Sequence, residues 1–204
     1  PLAELVKGIQ EGKRFSRSTV VLTFDDGYED NFTYAFPILQ EYRYPATLFI
    51  CPDLLGKVRD GHAFLSWEQL EIMKNGGMIV GNHTMTHAYL PDLSLEDMRY
   101  EIEESKRILE EKLNVRIEYF AYPIGGFTDE AKELVKQTGH KAAVTTNRGY
   151  DRFDQDVYEI NRIRFSDRDN SQLYLWTKLS GYNNLLRKLK NSHFYPFRPH
   201  FLLL

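Results

Sequence analysis

Short apolar runs alternate along this chain with stretches of helical periodicity, and that alternation limits the fold more than any other feature. Val20–Phe24, Ala46–Ile50, Met78–Val80, Ile117–Tyr122, Lys141–Thr146 and Ile160–Phe165 read as strands. Phe32, Ala35, Phe36 and Leu39 have helical spacing, and Pro37 is tolerated only near a first turn, so that helix begins around Tyr34. Ser66 to Gln69 forms a capping box that opens a helix through Lys74, stopped by Asn75-Gly76-Gly77. Ser94 with Asp97 opens a longer helix, with Leu95, Met98, Ile102, Leu109 and Leu113 on one stripe. Thr128 caps another that ends near Gly139, and Ser171–Leu179 and Leu185–Lys190 close the series. Residues 1–17 read as a polar approach segment with a weakly helical start. Strands alternating with helices imply parallel βαβ units. A chain of 204 residues is short for an eight-fold barrel, which takes about 250. One domain spanning 1–204, with a core over about 18–180 and a smaller or incomplete (β/α) barrel, is expected; an open doubly wound sheet is the alternative.

In either architecture, functional residues belong at the carboxyl ends of the strands. Val20–Phe24, read as covered on both faces, ends in Asp25-Asp26-Gly27-Tyr28. Adjacent carboxylates repel and each loses water there, so they call for a cation or a reaction; an Asp-Gly turn explains them equally well. Met78–Val80 runs on into His83 and His87, four residues apart, which one helical turn would bring to the same side. Such a pair is weak alone, but it is matched by acidic residues at another strand end. Two His, one carboxylate and an open position make the ligand set of a catalytic zinc, and imidazole serves other divalent ions too. One Asp then ligates and the other is free to take a proton from bound water, whose pKa falls to about 7. That chemistry hydrolyses amides or esters. The Pro123–Gly126 loop sits at a third strand end, and its glycines lack the spacing of a phosphate-binding motif.

A net charge of −3 offers no electrostatic footprint for nucleic acid. The single Cys51 excludes an intrachain disulfide and follows an apolar run, so it reads as a buried thiol. No apolar run approaches the ~20 residues of a membrane span, and composition does not give a localisation.

Thr23-Phe24-Asp25-Asp26-Gly27 and His83-Thr84-Met85-Thr86-His87 resemble the first two motifs of the polysaccharide deacetylases, the NodB-homology domain of carbohydrate esterase family 4. The likeness runs from Val20 to about Phe165 through Pro45–Phe49, Trp67–Leu70, Phe120–Pro123 and Ala142–Thr146. The Phe-Ala-Tyr-Pro segment is similar to the poly-N-acetylglucosamine deacetylase branch. The resemblance implies a distorted (β/α) barrel of about seven parallel strands. It implies a metal-dependent N-deacetylase acting on peptidoglycan, poly-N-acetylglucosamine or a chitin-like polymer, outside the cell or at its wall. By motif position Asp25 is the catalytic base, and Asp26, His83 and His87 hold the metal: zinc first, with cobalt, nickel or manganese as substitutes. The residues alone do not separate Asp25 from Asp26. A monomer without nucleic acid or membrane span is expected. An O-acetyl esterase and a non-catalytic carbohydrate-binding relic are the rival readings.

The likeness has gaps. The family's third motif carries an Arg that orients the catalytic Asp, and Ala121 stands there; Ile124 replaces the following aromatic, though its backbone N–H would still serve an oxyanion hole. Arg162 or Arg164 is expected to partner Asp25 instead. Tyr28, Trp67, Tyr89, Tyr122 and Phe127 are candidates to line a sugar cleft, whereas Trp176 reads as core. Asp151–Gln155 only faintly echoes the fourth motif, and Arg187–Lys190 reads as a solvated helix face. No histidine takes the general-acid role of the fifth motif: His193 and His200 lie in an unrelated tail, His140 reads as a helix C-terminal residue, and His62 sits in a Gly-flanked loop.

Overall fold

The computed structural model describes residues 1–13, 15–16, 19–146, 156–166 and 171–179. The chain divides into two compact units, Pro1–Arg162 and Ile163–Leu204. The first begins with helix α1 (Leu2–Gln10) and contains strands β1 (Leu22–Phe24) and β2 (Ala46–Ile50), with α2 (Phe36–Glu41) between them. A hairpin, β3 (Val58–Arg59) and β4 (His62–Ala63), precedes α3 (Trp67–Asn75). Then follow β5 (Ile79–Asn82), α4 (Leu95–Arg99), α5 (Ser105–Leu113), β6 (Tyr119–Ala121), α6 (Asp129–Gln137), β7 (Ala142–Thr145) and β8 (Ile160–Asn161).

Six strands form one all-parallel sheet in the order β1-β2-β5-β6-β7-β8. The order follows the chain without reversal, so there is no topological switch point of the doubly wound kind. The sheet is the curled, incomplete barrel of the expected class, with six parallel strands among the described residues against about seven expected. The curl is visible in its two edges: Arg162, just past β8, donates from Nη1 to Thr23 Oγ1 on β1 at 3.0 Å. Register aligns the carboxyl ends, with Ile50 opposite Asn82, Asn82 opposite Phe120 and Ala121 opposite Val144. The carboxyl ends of β1, β5, β6 and β8 therefore lie on one rim.

Alternation along the strands fills both faces. Leu48, Ile50 and Val80 pack with Leu65, Leu70, Met73 and Leu109. Phe120 and Ala143 pack with Ile102, Leu134 and Val135 on a second cluster. The opposite face gathers Phe49, Tyr119, Ala121 and Val144 with Leu2 and Val6 of α1. The weakly helical start expected of this polar segment is thus a nine-residue helix with a buried face. Its apolar residues Leu2, Leu5, Val6 and Ile9 share one face, and the intervening polar residues masked that stripe.

Other departures have physical causes. β1 begins at Leu22 and is only half buried, with Val20 57% exposed, because it pairs with β2 alone and is an edge. Pro37, which cannot donate to the preceding turn, sits at the start of α2, and Asn31–Ala35 ahead of it forms a π-helical turn. Ser66 and Gln69 make the full capping box of α3, and Ser94 and Thr128 cap α4 and α6. The long helix is broken between α4 and α5 by a second π-turn, Tyr100–Glu104, and Leu95 in its first turn is exposed. β8 covers only Ile160–Asn161.

In the second unit, α7 (Gln172–Leu179) has Lys178 Nζ donating to Arg164 O at 2.9 Å and lying 5.1 Å over the Phe165 ring. Trp176 is 59% exposed, so its assignment to the core is corrected: it faces out of α7. Asp151–Gln155, Leu185–Lys190, His193 and His200 lie outside the described residues.

Candidate metal centre and its neighbouring carboxylate

Three rim loops build the site. Each contains a non-glycine residue in the left-handed region: Asp26 (φ 70°) after β1, Thr84 (65°) and His87 (64°) after β5, and Ile124 (60°) after β6. Such backbone costs about 1–3 kcal/mol per residue and persists where its surroundings over-determine it. The result is a convergence. Asp26 Oδ1 lies 3.3 Å from His83 Nε2 and 3.1 Å from His87 Nε2. That oxygen is buried yet has no hydrogen-bond partner. Three lone-pair donors facing one point, one of them orphaned and buried, fit a divalent cation. Among the described residues this is the sole cluster of three or more His, Cys, Asp or Glu ligand atoms.

The surroundings prepare each ligand. His83 Nδ1 donates to the Ala121 carbonyl at 2.7 Å, which fixes the ring with Nε2 pointed at the site. Burial pushes the Asp26 carboxyl up, and the two imidazoles pull it well below the ordinary carboxylate range, so it is ionised. His83 and His87 do not lie on a helical turn, as their spacing predicts; the segment is a loop whose left-handed residues do the folding back. Glu101, on the π-turn, holds that loop. Its Oε2 accepts from the Met85 and Thr86 amides at 2.8 and 3.0 Å, and its Oε1 from Thr86 Oγ1 at 2.7 Å. Asn82 Oδ1 accepts from Thr84 N and Ser105 Oγ, while its Nδ2 donates to Ile102 O. Sequence reasoning missed both residues, although Glu101 sits beside Ile102 and three residues after Met98, on the helix's apolar side, where an unpartnered carboxylate would be anomalous.

Asp25 is held separately. Arg162 Nη1 donates to its Oδ1 and Nη2 to its Oδ2, both at 2.6 Å, a bidentate pair. The guanidinium also donates to Thr23 Oγ1 and, from Nε at 3.4 Å, to Thr145 O, and it lies 5.5 Å over the Phe49 ring. Burial raises the Asp25 carboxyl; the charges of His83 and Arg162 and the Arg162 hydrogen bonds outweigh it and leave the group below its usual range. Of the two arginines expected near Asp25, Arg162 reaches it, whereas Arg164 belongs to the second unit.

A cavity of about 230 Å³ opens beside the triad, lined by Asp26, His87, Tyr28, Leu54, Phe64 and the hairpin residues Arg59, Asp60 and His62. Tyr28 stacks on Phe64 with centroids 4.9 Å apart. Ile124 is 68% exposed on the β6 loop. Two expected lining residues are corrected. Tyr122 is fully buried between Phe120 and Phe127, on the face of the strand end that packs against α6. Trp67 packs against the core from the first turn of α3 and does not border the cavity. Cys51 is buried, with its thiol raised by burial and donating to His83 O. His140 is not a charged helix-end residue: it is 2% exposed, and burial and the Lys106 charge lower it to about 3.

The sequence profile of the family described as polysaccharide deacetylase matches residues 12–143. YxkH of Bacillus subtilis (strain 168) is 31% identical over 158 residues, 78% of this chain and 55% of its own length. The poly-β-1,6-N-acetyl-D-glucosamine N-deacetylase of Staphylococcus epidermidis is 28% identical over 176 residues, 81% of this chain and 61% of its own. The chain thus spans roughly half to three-fifths of these relatives. Among solved structures, Streptococcus pyogenes deacetylase PplD in complex with acetate superposes with a TM-score of 0.78 at 29% identity, covering 88% of this chain and 78% of that one. The chain belongs to the polysaccharide deacetylase family.

Proposed function

We propose that this chain is a metal-dependent hydrolase that removes N-acetyl groups from N-acetylglucosamine units of a cell-wall or extracellular polysaccharide. The observation that carries the reading is the orphaned, buried Asp26 Oδ1 between two imidazole nitrogens, next to a second carboxylate clamped by an arginine. Family membership, the acetate-bound streptococcal deacetylase and the named action of the staphylococcal relative support the substrate class.

Asp26, His83 and His87 would hold the ion, and their nitrogen and oxygen donors suit zinc first, then cobalt, nickel or manganese. When bound, the ion supplies Lewis-acid polarisation of the acetamide carbonyl and a more acidic water. Asp25 accepts a proton from the attacking water, and Arg162 keeps it ionised and fixes the direction of its lone pairs. Arg162 thereby does the work expected of the missing motif-three arginine, from just past β8, 137 residues away in the chain. The Ile124 backbone N–H, on a loop braced by Thr145 and Thr146 bonds to the Gly125 and Ile124 carbonyls, is the candidate donor to the developing oxyanion. Tyr28 offers an aromatic face to a sugar ring beside the triad.

Acetate release should be measured from poly-β-1,6-N-acetylglucosamine oligomers, peptidoglycan, chitin oligomers and acetyl xylan, with and without added zinc. Zinc-stimulated release from one or more of the first three supports the reading. Release from acetyl xylan alone makes the chain an esterase, and no release from any makes it a carbohydrate-binding relic.

A further inference from the structure

Hydrolysis of an amide needs a second proton transfer, because nitrogen leaves only once protonated. Among the described histidines, His83 and His87 face Asp26 in the triad, and His140 is buried on the far side of β6 against Phe120. His62 remains, and it opens on the cavity that also contains Asp26 and His87. Its position is built. Asp60 and Gly61 have φ of 51° and 80°, the left-handed pair of a tight two-residue hairpin turn. Arg59 pairs with His62 across that turn. The hairpin is sewn to the carboxylate loop by backbone bonds, Glu29 N to Ala63 O and Leu65 N to Gly27 O, both 2.9 Å. His62 and Phe64, two apart on one face, both meet Tyr28: His62 edge-on at 5.7 Å and Phe64 stacked. Burial and the neighbouring Asp26 charge raise the Tyr28 phenol above its ordinary value. His62 and Tyr28 thus line the same cavity as Asp26 and His87, so His62 faces the space beside the triad.

We infer that His62 is the proton donor to the leaving amine, delivered from the β3–β4 hairpin, an element for which the sequence offered no motif. The inference rests on the deacetylase reading above. In the step, the water oxygen bonds to the acetamide carbon and its proton passes to Asp25. The C–N bond then breaks as imidazolium His62 protonates the nitrogen, giving the free amine and acetic acid; the proton on Asp25 returns through solvent to His62. The charged and titratable groups facing His62 in the cavity are Asp26, Tyr28, Arg59, Asp60 and His87.

The test uses leaving groups of different basicity. H62N and H62Q are compared with the wild-type chain, zinc-loaded, on β-linked N-acetylglucosamine oligomers and on 4-nitrophenyl acetate, whose phenolate departs unprotonated. Both variants should lose about 10²–10³-fold in kcat on the oligomer, with KM little changed, zinc content intact and the ester rate retained. Parallel loss on amide and ester in both variants, or an unchanged amide rate, overturns the inference and leaves the deacetylase reading standing. A wild-type chain that cleaves the ester but no amide overturns both.

Discussion

The guanidinium of Arg162 grips both oxygens of Asp25 while Thr23, Thr145 and the Phe49 ring fix its other sides. A side chain so fully engaged would position the proposed base as well as neutralise it, and lysine cannot reproduce the two parallel bonds. Arg162→Met should therefore lower kcat for acetate release by about 10²-fold, in line with the cost of a misplaced catalytic group, and Arg162→Lys should recover little of it. Arg164→Met should leave kcat unchanged. Wild-type kinetics in Arg162→Met would remove the clamp from the mechanism. The pairing could be suspected from sequence because an arginine near a late strand end is in reach of any rim carboxylate in a barrel. Which of two arginines makes the contact could not, since Arg162 and Arg164 lie on the same side of an ideal strand and only the shortness of β8 separates them. Tyr122 shows the opposite failure: a strand-end aromatic can turn to the rim or to the helix layer, and composition does not distinguish the two.

At the scale of elements, the π-turn Tyr100–Glu104 brings Glu101 inward to collect two amides and a hydroxyl from the 83–87 loop. Glu101→Ala strands those donors in a buried place, each costing about 1–3 kcal/mol. Zinc affinity should fall about 10–100-fold, the usual scale for losing a group that orients a ligand, and Glu101→Gln, which keeps one acceptor oxygen, should fall less. Zinc titration monitored by calorimetry reads both; equal affinities in Glu101→Ala and wild type would show that the loop holds itself. His140, after α6, makes a separate prediction. Its folded pKa of about 3 lies below the ordinary 6.5, so the unfolded chain binds more protons between those values. The neutral ring's contribution is present above pH 6.5 and is lost as pH falls, by up to about 1.4 kcal/mol per unit. Urea unfolding of the metal-free protein should show that slope between pH 6 and 5, above the range where the unfolded Asp25 and Asp26 carboxylates begin to bind protons, and His140→Gln should flatten it. An equal slope in both proteins would place the acid sensitivity elsewhere. Helix caps at Ser66, Ser94 and Thr128 were legible because they are local chemistry. The π-turns, the β3–β4 hairpin and the loop character of 83–87 were not, since each is set by what the segment packs against.

For the molecule as a whole, a sheet wound in chain order brings the ends of β1, β5, β6 and β8 to one rim, and the chemistry follows from that geometry. The curled sheet and the convergence of Asp25, Asp26, His83 and His87 at its rim could be read from sequence because strand spacing, strand-end residues and family likeness all pointed to the same place. An ion that binds only the folded triad should also stabilise the fold, by about 2.7 kcal/mol at a hundredfold excess over its dissociation constant, so chelation should lower Tm. His83→Ala with His87→Ala should abolish that shift. The most direct measurement of the central claim is zinc content and acetate release, taken together, on Asp25→Asn and on the His83→Ala, His87→Ala double variant. Asp25→Asn should keep its zinc and lose turnover, while the double variant should lose both; zinc retained by the double variant would contradict the assignment of the metal to Asp26, His83 and His87.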